Sequence, residues 1–262
     1  MSKTKRPSVF VSHGSPTLPL SALPARDFLA ALGQELGRPE AILCISAHWE
    51  TPVPAVSTAA QPETIHDFYG FPRALYELSY PAPGAPELAL ETSRRLAAAG
   101  FACADDPERG LDHGAWVPLL LMYPEAGIPV TQLSVQLPDG PAHHVALGRA
   151  LAPMREEGIL ILGSGGATHN LTELSRDPQD GPPLAHVAAF DEWLGTAAAS
   201  GDEESLVDYR KKAPAALRVH PREEHFLPFF VAFGAGGTHA RGRRLHRSFS
   251  HGALSMAAFA FE

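Results

Sequence analysis

Four short apolar runs constrain what this chain can fold into: PSVFVS (7–12), AILCIS (41–46), IPVTQLSVQ (128–136) and GILILGSG (158–165). Runs of this length, rich in β-branched residues and bounded by turn formers, read as strands buried on both faces, the kind found in parallel sheets covered by helices. Between the first two, LPARDFLAALGQEL (23–36) has apolar residues at helical spacing, which makes a β-α-β unit. PELALETSRRLAAAG (86–100) reads as a helix stopped at Gly100. Further helices are expected over 143–158, 184–200 and 223–237, with a helix start in GAWVPLLLMYP (114–124) and a shorter helix over 202–210. The tail, 243–262, reads as a closing hairpin with its turn at His251–Gly252. The expectation is one α/β domain over residues 1–262. It has a central, mostly parallel sheet flanked by helices, an antiparallel edge from the tail, and an active site at the carboxyl ends of the strands. The longest irregular stretch, roughly 49–84, is rich in Pro, Thr and Tyr. Loops of that length are functional or disordered, and the aromatic content favours an ordered one.

Charge narrows the partners. The formal net charge is -8, with both signs mixed along the chain and no basic stripe, which argues against nucleic acid and anionic membranes. The basic start MSKTKRPSVF is followed by no apolar core of a signal peptide, and no run approaches ~18 apolar residues, so a cytoplasmic protein is expected. Cys44 and Cys103 have no metal-type or redox spacing, and Cys44 reads as a small buried hydrophobe.

The unusual count is 13 histidines. His13 ends the first strand in VFVSHGSP, His48 ends the second in ILCISAHWE, and His169 follows the glycine-opened strand in ILGSGGATHN. One such histidine reads as a packing residue. Three in the same topological position read as neighbours at the strand ends, where ligands bind in open α/β sheets. His113 lies in GLDHGAW, directly after Asp112, where a helix opens. His220 and His225 lie in HPREEHFLPFF, with a helix expected after Pro221 and His225 on its first or second turn. His66, in the aromatic-flanked TIHDFYGFP, is a candidate to line a pocket. His143, His144, His186, His239 and His246 read as solvated or packing residues, and His251 as a turn residue. Imidazole-rich sites suit zinc, iron, copper or nickel rather than magnesium. There is no H-E-x-x-H, no Lys after GSGG for a phosphate loop, no dinucleotide fingerprint, and Leu162 breaks a nucleophile elbow at Ser164.

VFVSHGSP, ISAHWE, TIHDFYGFP, GLDHGAWVPL, GSGGATHNL and HPREEHFLPF, in that order, resemble the class III extradiol ring-cleavage dioxygenases, in particular the 4,5-DOPA-type branch. The resemblance runs from about residue 8 to the tail. It implies that His13, His48 and His225 are metal ligands. Other branches use a glutamate as the third ligand; here Glu223 and Glu224 stand beside His225 but are expected to point elsewhere around a helix. Fe(II) is the cofactor implied for the active enzyme, while a three-histidine site also accepts Zn(II) readily. His169 resembles the acid/base histidine, close enough to the metal to serve as a fourth ligand when substrate is absent. His113 resembles a second active-site histidine that assists it, and His220 a residue beside the ligands or on the substrate wall. Trp49, Tyr69 and Phe71 are candidates for an aromatic pocket wall, together with His66. Arg73 and Arg222 stand near enough to meet an acidic substituent.

The implied reaction opens a catechol beside its diol with O2, giving a hydroxymuconic semialdehyde, with a histidine near neutral pKa moving the protons. The expected partners are therefore a small aromatic diol and O2. Two other readings remain at this level. One is a zinc-dependent hydrolase, since three histidines and an open position also activate water. The other is a non-catalytic binding protein like the Memo-type relatives of the superfamily.

Overall fold

In β1 (Ser8–Ser12), Val9 and Val11 pack on one side of the sheet and Phe10 on the other, so every residue of the strand is buried. β2 (Ala41–Glu50) repeats the arrangement, with Ile42 and Cys44 on the first side and Leu43 and Ile45 on the second. This two-sided burial is what the continuous apolar runs require. The computed structural model describes residues 5–177 and 182–262; the expected domain span also takes in 1–4 and 178–181, which lie outside the described residues.

The remaining strands are β3 (Ala55–Ser57), β4 (Ala104–Asp106), β5 (Val130–Val135), β6 (Ile159–Gly165), β7 (Gly242–His246), β8 (Phe249–Ser250), β9 (Leu254–Ser255) and β10 (Ala258–Phe261). Eight of them form one sheet in the order β4-β3-β5-β2-β6-β1-β10-β7, and β8 pairs with β9 as a separate hairpin. The central four, β5-β2-β6-β1, are parallel. β10 runs antiparallel to both β1 and β7, so the tail supplies the antiparallel edge.

The helices are α1 (Pro24–Leu36), α2 (Arg73–Tyr76), α3 (Pro86–Ala98), α4 (His113–Met122), α5 (Gly140–Leu151) and α6 (Ala185–Ser200). The short α7 (Glu203–Val207), α8 (Tyr209–Lys212) and α9 (Ala216–Val219) follow, then α10 (Leu227–Ala235). α1 and α4 cover the Val9 side of the sheet; α3, α5 and α10 cover the Phe10 side. α10 is apolar all round and wholly buried, as such a sequence demands. It crosses α5 at glycines on both helices. A Cβ on Gly148 would lie 2.1 Å from the Val231 carbonyl oxygen, and one on Gly234 would lie 2.1 Å from that of Val145. Among the described residues no helix is long and apolar enough to cross a membrane.

Several expectations change. β2 extends beyond the apolar run 41–46 to Glu50, through an irregularity in its pairing with β5 after Ile45, so His48 lies within it, near its end. His225 is not on a helix. α10 begins at Leu227, with Pro228 in its first turn, and 221–226 form turns. The helix expected over 143–158 stops at Leu151, and Pro153 converts the remainder to a 3-10 segment, Ala152–Glu157. The long stretch 49–84 contains β3 and α2. The hairpin turn does fall at His251–Gly252, both with positive φ (54° and 68°), and it sits inside the wider β7/β10 pair.

Candidate metal centre at the strand ends

The carboxyl ends of β1, β2 and β6 meet at one point of the sheet edge. β1 delivers His13, whose backbone N–H donates to Gly165 O at the end of β6 (3.0 Å). β2 delivers His48 on the same side as Ser46, which donates to Asp112 Oδ1 (2.5 Å). The loop after β6 captures the third histidine: Gly166 N–H donates to His225 O (2.8 Å). A Cβ on Gly165 would stand 2.0 Å from that same oxygen, so the close approach requires glycine. His169 is held by its backbone N–H on Val219 O (2.8 Å). His113 is the first residue of α4, after Asp112, whose carboxylate accepts Ala115 N–H as the helix cap.

These elements bring five of the expected residues together. His48 Nε2 lies 3.1 Å from His13 Nε2 and 3.2 Å from His225 Nε2. A ring nitrogen of His113 lies within 4.8 Å of those of His13 and His48. His169 stacks flat on His225, with ring centroids 3.4 Å apart at 10°. His169, Glu224 and His225 also offer ligand atoms within 4.8 Å of one another. We take His13–His48–His225 as the convergent set, because there the nitrogens facing each other are the outward ones, 3.1 and 3.2 Å apart.

The opposite ring nitrogens fix the proton positions. Ser164 Oγ donates a short hydrogen bond to Gly114 O, so it can only accept from His13 Nδ1–H, 3.0 Å away. His225 Nδ1–H donates to Glu224 Oε1 (2.9 Å). His13 and His225 therefore carry bare lone pairs on Nε2. Burial, followed by the neighbouring imidazoles, holds both well below the usual histidine range. Burial and His113 lower His48 to about 3, against the opposing pull of Asp67. Two bare Nε2 lone pairs, of His13 and His225, thus face His48 Nε2 at 3.1 and 3.2 Å. This donor set fits a divalent metal of the imidazole-binding class. Burial, then His113, also lowers His169, to about 4.

The other expected site residues separate. His220 is fully buried: Nε2–H donates to Ala167 O (3.0 Å) and the ring stacks on Phe226 at 4.7 Å. It braces the loop that carries His169 and is not on a substrate wall. Tyr69 is 92 % exposed and walls nothing, because it stands at the solvent side of the turn made by Gly70. Its neighbour Phe68 is the inward residue, 5.8 Å from the His113 ring and edge-on to Phe71. His66 Nε2–H donates to Leu78 O among Phe68, Tyr76 and Trp116. Trp49 lies buried beneath the Arg109 guanidinium, 5.1 Å from its ring. Arg73 is committed to Glu77 in solvent, and Arg222 bridges Glu50 and Glu224.

Sequence reasoning missed Asp67, Ser164, Glu224 and Phe68. Glu224 was expected to point away, but in a turn it reaches the adjacent ring. Around His13 and His169 the free space is small, a cavity of about 10 Å³ lined by Gly14, Gly165, Gly166 and Met256. A cavity of about 620 Å³ opens at the far end of the sheet, near Ala41, Pro129 and Ile159, away from the histidines. The chemistry follows the histidines, not the larger volume.

Residues 8–261 match the family model of the catalytic LigB subunit of aromatic ring-opening dioxygenase. The 4,5-DOPA dioxygenase extradiol of Beta vulgaris is 46% identical over 262 residues, covering 96% of this chain and 95% of its own. A protein of that name from Escherichia coli K12 is 39% identical, covering 90% of this chain and 87% of its own. A crystal structure of an uncharacterized Escherichia coli K12 protein matches 97% of this chain and 99% of its own, with TM-score 0.78 and 31% identity.

Proposed function

The chain belongs to the class III extradiol dioxygenases, the family of the LigB catalytic subunit, and from that premise we propose that it opens a catechol of DOPA-like or related structure with O2. In this reading His13, His48 and His225 hold the metal, Fe(II) in the working enzyme and Zn(II) as a ready substitute. The observation that carries it is the convergence of their three Nε2 atoms, two of whose rings carry their protons at Nδ1. Fe(II) held there supplies chelation of the two diol oxygens and activation of dioxygen.

The chain's own groups handle protons and shape. His169, unprotonated at neutral pH, accepts a proton from the diol, and because it holds that proton weakly it returns it to the departing oxygen. His113 lies across the site and assists. Phe68, beside His113 and backed by Phe71, offers a flat apolar face to an aromatic ring.

The test is anaerobic loading with Fe(II), followed by an oxygen electrode and absorbance scan across a catechol panel. Oxygen consumption matched by a yellow semialdehyde is the expected result. Iron-loaded protein that consumes no oxygen with any catechol, while zinc-loaded protein hydrolyses esters, would assign the site to hydrolysis instead.

A further inference from the structure

Asp67 lies in the loop between β3 and α2 and touches two of the clustered histidines at once. Its Oδ1 accepts the backbone N–H of His113 (2.9 Å), and its Oδ2 accepts from His113 Nδ1 (2.9 Å). The same Oδ2 is 3.6 Å from His48 Nδ1. The rings of His48 and His113 are themselves 3.9 Å apart between centroids. The loop is not free to swing. Ile65 N–H donates to Leu111 O (2.7 Å), Trp116 Nε1–H donates to Ile65 O (3.0 Å), and Thr64 forms a β-bridge with Leu111. The carboxylate is thus fixed against the start of α4, with 23% of its side chain exposed.

An ionised carboxylate offers acceptors only. His113, bonded to it at 2.9 Å, must therefore present N–H at Nδ1 and keep its lone pair on Nε2, and the same negative charge 3.6 Å from His48 Nδ1 favours the Nδ1–H form there. For His48 that lone pair points at His13 and His225. For His113 it leaves Nε2 as the nitrogen free to take a proton. We infer that Asp67 is a positioning residue shared by the metal centre and its proton-handling histidine: one carboxylate sets the tautomer of His113 through a hydrogen bond and biases that of His48 through its charge. This rests on the ligand role proposed for His48. Ser164 and Glu224 hold His13 and His225 by hydrogen bonds, and Asp67 stands in the corresponding place behind His48 at 3.6 Å.

The test compares wild-type protein with Asp67→Asn and Asp67→Glu, using Zn(II) titrated into metal-stripped full-length chain and 15N–1H spectra of the imidazoles. In the wild type, His48 and His113 are expected as Nδ1–H; an Nε2–H form of His113 would overturn the inference without any substitution. Asparagine keeps the shape but turns an N–H₂ toward both rings. Zinc affinity is then expected to fall about 10–100-fold and His113 to switch to Nε2–H, while glutamate restores most of the affinity. Unchanged zinc affinity in Asp67→Asn would also overturn it. A loop staple alone would shift the melting temperature but leave the tautomers as they are. None of these readouts needs a catechol, so a protein that bound zinc as expected yet opened no catechol would refute the proposed function and leave this inference standing.

Discussion

Ser164 Oγ–H donates to Gly114 O, which leaves the oxygen to accept and puts the His13 proton on Nδ1. Roles at this site are therefore set by partners one layer behind the histidines, and those partners are far away in sequence. His13, His48 and His169 were legible because each lies at or just beyond the carboxyl end of a buried strand. Ser164, Asp67 and Glu224 were not, since what marks them is a neighbour brought by folding. Phe68 and Tyr69 show the same limit, because which of two adjacent aromatics turns inward depends on the backbone at Gly70. His169 carries the prediction for this scale. Its ring is stacked on His225, and its backbone N–H donates to Val219 O. His169→Ala is expected to retain metal, measured by elemental analysis, and to lose roughly 10²–10⁴-fold in kcat with a catechol. Wild-type turnover in that variant would remove His169 from the reaction.

His144 links the end of β5 to α5. Its Nδ1–H donates to Gly140 O (2.7 Å), so its Nε2 lone pair accepts Gln136 N–H (3.1 Å). Protonation would set N–H against N–H, and burial, above all, lowers the group to about 4. The folded state thus refuses a proton that the unfolded chain accepts near pH 6.5. Stability from this contact is complete above about pH 6.5 and is lost as the pH falls toward 4, a difference on the order of 3 kcal/mol. Urea unfolding at pH 7 and pH 5 checks it: wild type should lose more stability over that interval than His144→Gln, and equal losses would place the effect elsewhere. Helical spacing marked His144 as a packing residue. The bond to Gln136 was hidden, because it depends on how tightly the chain turns between strand and helix. Helix boundaries failed for similar local reasons, at Pro153 and before Pro228.

Across the whole molecule, the parallel core was legible from four apolar runs and the β8–β9 turn from His251–Gly252, whereas β3 and β4 were not, being only three residues long. The proposed ligands come from β1, β2 and the turn before α10, so metal ties together segments that are distant along the chain. Zinc at a hundred times its Kd is expected to stabilise the fold by about 2.7 kcal/mol, which for a chain of this size raises Tm by roughly 5–10 °C. Calorimetry with and without EDTA checks this, and a His48→Ala variant showing the same shift would place the stabilising ion at another site. The pairing of β1 with β10, Ser8 against Phe261, has a further consequence. On the ribosome β1 is made long before its neighbour on that side, so a nascent chain carries an open strand edge while the segments between them are synthesised. His225 also emerges late. A half-made chain can therefore offer a passing ion only His13 and His48 of the three proposed ligands.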